Sequence, residues 1–314
     1  MTNSGGPHSG PVTIAWVPIT VGAAASQAVR SALQRQLKGQ LSINGAAFTR
    51  FLFGLPLAAV YLCALVGGDV GLLPAPQRAF WFWVVTAAVS QIVATSLQIL
   101  VTTSRNFATG IAYTKTEVVQ AAVVEVLVLG AVLTGLGGLG IALGTIAVML
   151  MSLTKSAQPW RAFLLGWTEP TALLGLLAGS FFGVAAVGFR AASVSLGHPS
   201  AYLAAAFTLV VATAIQTAMM GSYLAWRESG QLRRVFAERR SGALVGLASF
   251  LGSAGWFTAF TLQIAAYVRT LGLVELAFTL LISRYAFRER ARPAEIMGLA
   301  LLVLSIAAVL NSGR

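Results

Sequence analysis

The chain has 314 residues, of which 57% are apolar and only 10% charged, with 21 Lys and Arg against nine Asp and Glu. Soluble domains carry about 25% charged residues, so a single globular core is excluded as the home for this much apolar surface. A net charge of +12 does not point to nucleic acid, because the basic residues fall between apolar blocks and orient them.

Those blocks run for about 20 residues, the length a helix needs to cross roughly 30 Å of hydrocarbon. A helix satisfies its own backbone N–H and C=O groups, which lipid cannot do. The expected fold class is therefore all-α: a polytopic membrane protein with ten transmembrane helices. Reading along the chain, a polar tail at 1–11 without Lys or Arg precedes a first span at 12–33. That block is taken as a span rather than a removed signal peptide, which needs a basic start and a shorter apolar core. Further spans are predicted over 43–66, 79–102, 107–130, 138–154, 170–190, 200–225, 242–259, 264–286 and 294–311. Gly67-Gly68-Asp69 with Pro74 and Pro76 separates spans two and three, and Gly135 to Gly138 turns span four into span five. Thr168-Glu169-Pro170 reads as the start of span six.

Several chemistries find no support in this sequence. Cys63 is alone, so no intrachain disulfide can form, and His8 and His198 lie near span ends with no metal-ligand cluster around them. No Gly-x-x-x-x-Gly-Lys-[Ser/Thr] phosphate loop and no Ser/His/Asp set is evident. The longest polar loop, Arg227–Ser241, is too short for a soluble catalytic domain. The expectation is a protein that is not an enzyme, with no cofactor and no metal.

Charge orients the chain. Of 21 basic residues, 15 are assigned to the odd-numbered loops. Arg78, Arg190, Arg269 and Arg314 are assigned to the other side, and Arg50 and Lys115 to spans. This bias places the odd loops in the cytoplasm and both termini outside.

An internal repeat is expected at an offset of 158 residues, the separation of Glu117 and Glu275. At that offset Gly140-Ile-Ala-Leu143 meets Gly298-Leu-Ala-Leu301. The polar stripe Gln91, Thr95, Gln98 and Thr102 of span three meets Ser249, Ser253, Trp256 and Phe260 of span eight. A competing offset of 154 aligns Lys115 with Arg269. Two five-helix repeats, 12–156 and 168–311, are the predicted domains. An odd number of spans per copy inverts one relative to the other, the plan of many secondary transporters with a midplane substrate site.

Glu117 and Glu275 lie near the middle of spans four and nine. A charge at that depth costs about 2.5–3.5 kcal/mol on insertion scales and often marks an ion or substrate path. The competing reading is a structural Glu bonded to a neighbouring helix or paired with Arg50. Tyr113 and Gln120 share the helix face of Glu117, whereas Lys115 points away from it, and Glu125 is read as structural. Gln91, Thr95 and Gln98 either hydrogen-bond a polar solute or bond neighbouring helices. Trp256 and Phe260 either form a flat apolar wall for a solute or simply pack. Arg50 either binds substrate or snorkels as an anchor, and Arg284 is read as an anchor. Glu289 and Glu295, flanked by arginines, are read as a solvated loop. Gly175-x-x-x-Gly179-x-x-x-Gly183 and Gly140-x-x-x-Gly144 are small-residue ridges for helix packing.

At these residues the chain resembles the EamA-like branch of the drug/metabolite transporter superfamily over nearly its whole length. Ala47-Phe48-Thr49-Arg50-Phe51-Leu52 looks like the second-span segment of that family. Ala112 to Glu117 in span four is similar to sequences of uncharacterised bacterial members. Leu273 to Leu276, Ser283 to Tyr285, Phe287 to Arg290 and Gly298 resemble the family's span-nine end and the opening of span ten. The chain departs from the pattern at Gly130-Ala131, where a Gly-Glu pair is usual, and many ten-span members keep both termini in the cytoplasm. The resemblance implies secondary transport of small organic solutes (amino acids, other metabolites or toxic compounds) across the plasma, or inner, membrane. The expected mode is alternating access, with export as the first reading and protons or exchanged solute as the coupling partner. A lipid-modifying membrane enzyme and a non-transporting membrane scaffold are the alternatives.

Overall fold

The computed structural model describes residues 14–36, 41–103, 107–153, 169–278, 280–281 and 293–312. Apart from an isolated bridge residue at Leu41, regular structure among the described residues is entirely helical. Among the described residues, six helices are long and apolar enough to cross a membrane. They are α2 (Ile43–Val66), α3 (Arg78–Thr103), α7 (Pro170–Ser195), α8 (Ala201–Arg227), α10 (Arg239–Leu262) and α12 (Pro293–Asn311). The others are α1 (Trp16–Gln36), α4 (Phe107–Thr114), α5 (Glu117–Leu129), α6 (Gly135–Leu153), α9 (Gln231–Ala237) and α11 (Ala265–Gly272). The backbone becomes helical again at 275–278.

Local chemistry explains where the long helices stop. Ser42 accepts a hydrogen bond from the Gly45 amide and caps α2, and Ser200 does the same for α8 through Leu203. Gly67 and Gly130 end α2 and α5 with φ of +62° and +64°, a conformation that glycine adopts without a Cβ penalty. Glu228, just past α8, holds the start of α2 through Ser42 Oγ at 2.5 Å and Asn44 Nδ2 at 2.6 Å.

Spans four and nine differ from the continuous helices expected of them. Span four is interrupted at Lys115-Thr116, between α4 and α5, and span nine at Leu273-Val274, after α11. At the first break Thr116 N bonds Tyr113 O at 3.1 Å, and the Thr116 hydroxyl bonds the same carbonyl at 2.6 Å. At the second, Leu273 N and Val274 N reach Thr270 O and Leu271 O at 3.2 and 3.1 Å. The second of these tighter turns leaves no trace in apolar periodicity, because Leu273 and Val274 are themselves apolar, whereas the polar run Thr114 to Glu117 coincides with the first. Glu117 and Glu275 each open the helical stretch that follows a break.

The most extensive helix contacts are α3 with α7, α6 with α12, α1 with α10, and α2 with both α8 and α10. Lipid is as apolar as these side chains, so close packing rather than water exclusion must hold the helices together. Small residues provide the closeness. The ridge of α7 lies directly on the interrupted span: Gly175 meets the Gly110 backbone, Gly179 faces Thr114 O, and Gly183 faces Ala121 N. Between α6 and α12, Ser305 Oγ donates to Gly140 O at 2.6 Å. The outer faces remain apolar, with Val60, Leu127 and Trp226 among the exposed side chains, as a lipid-facing surface requires.

A Cβ at residue 175 would collide with the Gly110 carbonyl, whereas one at residue 22 meets nothing within 4 Å. Gly175→Ala is therefore expected to cost about 1–3 kcal/mol, and Gly22→Ala nothing measurable or a slight gain. Thermal unfolding in detergent checks both.

Candidate functional site

The two helix breaks face one another through charge. Lys115, inside the first break, reaches Glu275 at the second with Nζ to Oε2 of 3.9 Å. Arg269, on α11 just before the second break, reaches Glu117 at the first with a separation of 3.6 Å. The pairs cross: each interrupted span gives a cation to the carboxylate of the other. All four side chains are 16% exposed or less, so the pairs sit inside the bundle. Contacts this long in a low-dielectric interior return little beyond the cost of desolvating the charges, so stability alone gives no reason to keep them.

Other residues complete this layer. Gln27 of α1 donates to Glu275 Oε2 at 2.6 Å and accepts from Trp256 Nε1 at 3.1 Å, holding carboxylate and indole in register. Trp256 stacks on Phe260 with ring centroids 5.8 Å apart, and the Arg269 guanidinium lies over both rings at 5.3 and 5.5 Å. Any side chain at Gly272 would meet the Trp256 ring, so α11 can approach only as glycine there. Arg30 of α1 lies within electrostatic reach of Glu275 and Arg269.

A small polar space adjoins the layer. Its volume is about 20 Å³, and Arg50, Gln91, Thr213, Gln216, Ser249 and Ser253 contribute its polar lining. Gln216 donates to Gln91 Oε1 at 2.6 Å, whereas Ser249 Oγ is buried with no hydrogen-bond partner. Arg50, partly exposed, lines this space beside Gln91, Gln216 and Ser249. Gln91 of the span-three stripe and Ser249 and Ser253 of the span-eight stripe line the same space.

The remaining candidates lie nearby with less freedom. Thr95 turns its hydroxyl back to Gln91 O at 2.7 Å, and Gln98 is half-buried further along α3. Tyr113 is buried one turn before Glu117. Gln120 donates to Thr116 Oγ1 at 2.8 Å, and its own Oε1 is buried without a partner. The side chains of Thr102, Arg284 and Glu289 lie outside the described residues.

Three basic residues are not where the loop assignment placed them. Arg269 is in the ion-pair layer, Arg30 (counted with the first odd loop) belongs to α1, and Arg190 belongs to α7. Each lies at an edge of an apolar block, where hydropathy alone cannot decide between the last turn of a helix and the loop. Glu295 also departs from expectation: it is 6% exposed in the first turn of α12 rather than solvated. Gln27, Arg30, Lys115 and Arg269 are the site residues that sequence reasoning missed. A signal existed in the polar pair Gln27 and Arg30, spaced three apart on one face of α1.

Glu125 and Arg190 form a separate buried element, 3.0 Å apart. The carboxylate accepts from the amides of Ala265 and Ala266 at 2.9 and 3.0 Å and so caps the start of α11. The guanidinium donates to Phe260 O and Gln263 O at 2.7 and 2.5 Å and caps the end of α10. Together they fix the corner that aims α11, and with it Arg269, at Glu117. A cavity of about 430 Å³, otherwise lined mainly by apolar residues such as Trp83 and Ile264, opens beside this pair.

Arg190→Met would strand a fully buried carboxylate and is expected to cost about 3–5 kcal/mol, with E125Q/R190M recovering part of the loss. Thermal midpoints of the detergent-solubilised variants measure this. Comparison with known proteins adds a fold. No family model and no curated protein matches the chain. A solved structure described only as "Crystal structure of protein" has a TM-score of 0.67 at 14% identity and covers 96% of this chain and 98% of that one. That likeness shows a shared fold alone.

Proposed function

We propose that this chain is a secondary transporter of small organic metabolites, working by alternating access in the plasma membrane. The observation that carries the reading is the crossed set of ion pairs between two interrupted helices in the interior of the bundle. Interrupted helices in a membrane are tolerated where they are buried in protein or line a water-filled cavity, and transporters place their sites there. Loosely paired charges suit a device that must exchange partners, since each carboxylate can trade its cation for a proton or a solute.

The repeat plan is part of the same proposal. The breaks after Thr114 and after Gly272 stand at the same offset as Glu117 and Glu275. Pairing spans one with six, two with seven, three with eight and five with ten accounts for four of the five leading contacts, α2–α10 being the exception. It exchanges α3–α7 with α1–α10 and maps α2–α8 and α6–α12 onto themselves. These matches support ten spans as two inverted five-helix repeats, 12–156 and 168–311, resembling the EamA-like transporters. The bias of basic residues to the odd loops favours termini outside the cytoplasm.

In this reading Glu117 and Glu275 respond to protons or solute, while Gln91, Thr95, Gln98, Tyr113, Gln120, Trp256 and Arg50 line or flank the path. An exporter coupled to protons or to solute exchange fits best. Reconstitution in vesicles with a metabolite-uptake screen tests the claim. The wild type is expected to carry a solute with a pH-dependent rate. E117Q/E275Q should lose that pH dependence while remaining folded and membrane-inserted. Unchanged pH-dependent flux in the double variant rules out proton coupling through these carboxylates, and absence of solute flux from the wild type favours a scaffold.

A further inference from the structure

We propose that the interior site takes a small organic anion, one bearing a carboxylate or phosphate group, with Arg30 and Arg50 as its recognition residues. This rests on the reading of the bundle interior as a solute path and deepens it by naming the substrate class.

The charge balance points to this chemistry. Among the described residues the layer holds four cations, Arg30, Arg50, Lys115 and Arg269, against two carboxylates, Glu117 and Glu275. Lys115 and Arg269 are engaged by the crossed pairs. Arg30 and Arg50 make no ion pair within 4.0 Å among the described residues. Arg50 instead lies in the field of two like charges, Arg30 and Arg269. The Nε atoms of both Arg30 and Arg269 are buried with no hydrogen-bond partner.

Two positive charges in excess, held inside a bundle surrounded by hydrocarbon, are a standing penalty that an arriving anion would relieve. Guanidinium presents a rigid fork of donors that matches carboxylate and phosphate oxygens, so arginine selects oxyanions in particular. The surroundings of Arg50 add neutral hydrogen-bonding groups and no described acid: Gln91, Thr213, Gln216, Ser249 and Ser253. The partnerless hydroxyl of Ser249 is a ready donor to a bound oxygen. The stacked Trp256 and Phe260 lie against Arg269 in the ion-pair layer and are not among the residues that line this space. A space of about 20 Å³ holds about one water, so an anion fits only once the space widens.

Thermal unfolding of the full chain in detergent, with ionic strength matched by sodium chloride, tests the proposal. The probes are succinate, inorganic phosphate, the neutral succinamide and the cationic putrescine. Succinate or phosphate is expected to raise the midpoint by about 5 °C at saturation, and the neutral and cationic probes are expected to leave it unchanged. In R30Q/R50Q the anion-dependent shift should vanish, while the midpoint without probe stays level or rises as like-charge repulsion is removed. If that variant does not fold, Arg50→Lys keeps the charge without the fork and should weaken anion binding by roughly tenfold.

Equal shifts with succinamide, no shift with either anion, or an undiminished anion shift in the arginine variants would overturn the assignment. Flux assays separate this from the broader reading. Anion binding without flux in vesicles defeats transport and leaves the site standing. Flux of neutral or cationic solutes alone defeats the anion site and leaves transport standing.

Discussion

Charge placed where water is scarce governs this structure. Lys115, Glu117, Arg269 and Glu275 are all nearly buried, and each would be prohibitively unstable alone in the interior of a membrane bundle. Their mutual compensation requires that the two interrupted spans stay in register with one another. The glycines of α7 allow the first break to sit against its neighbour, and Gly272 allows the second to press against Trp256. Packing and electrostatics thus converge on one layer. The helices approach closely enough for charges to meet, and the charges meet across elements that sequence distance keeps far apart.

A second buried pair has a different task. Glu125 and Arg190 are bound on several sides by backbone groups at the ends of α10 and α11, so neither is available to trade partners. The contrast with the crossed pairs is chemical. Where a carboxylate accepts two amide hydrogens and a guanidinium at 2.9 to 3.0 Å, it is a fixed corner. Where it holds its cation at 3.6 or 3.9 Å, it keeps the freedom a moving site needs. The same residue types are held closely in one place and loosely in the other, depending on how completely the backbone occupies them.

The excess of basic groups in the layer refines the first picture of the site. Two acids at mid-membrane suggest proton chemistry when read alone. Beside Arg30 and Arg50 they become partial counterweights among basic groups, which is why the proposed solute is an anion.

Composition and apolar block length by themselves determined that the chain is helical and belongs in a membrane, because hydrocarbon admits only backbone that satisfies itself. They also singled out Glu117, Glu275 and Arg50, since a charge within an apolar run is conspicuous. Tertiary structure decided the rest. The break at Leu273-Val274 carries neither proline nor polar residues, and the polar run Thr114 to Glu117 at the other reads equally well as an unbroken helix with polar faces. Arg30, Arg190 and Arg269 sit at block edges, where sequence cannot tell the end of a helix from a loop. Which acid meets which base depends on contacts between residues more than 150 positions apart, as in the pairing of Lys115 with Glu275. Local pattern reports burial and periodicity, whereas partner choice is settled only when the helices pack.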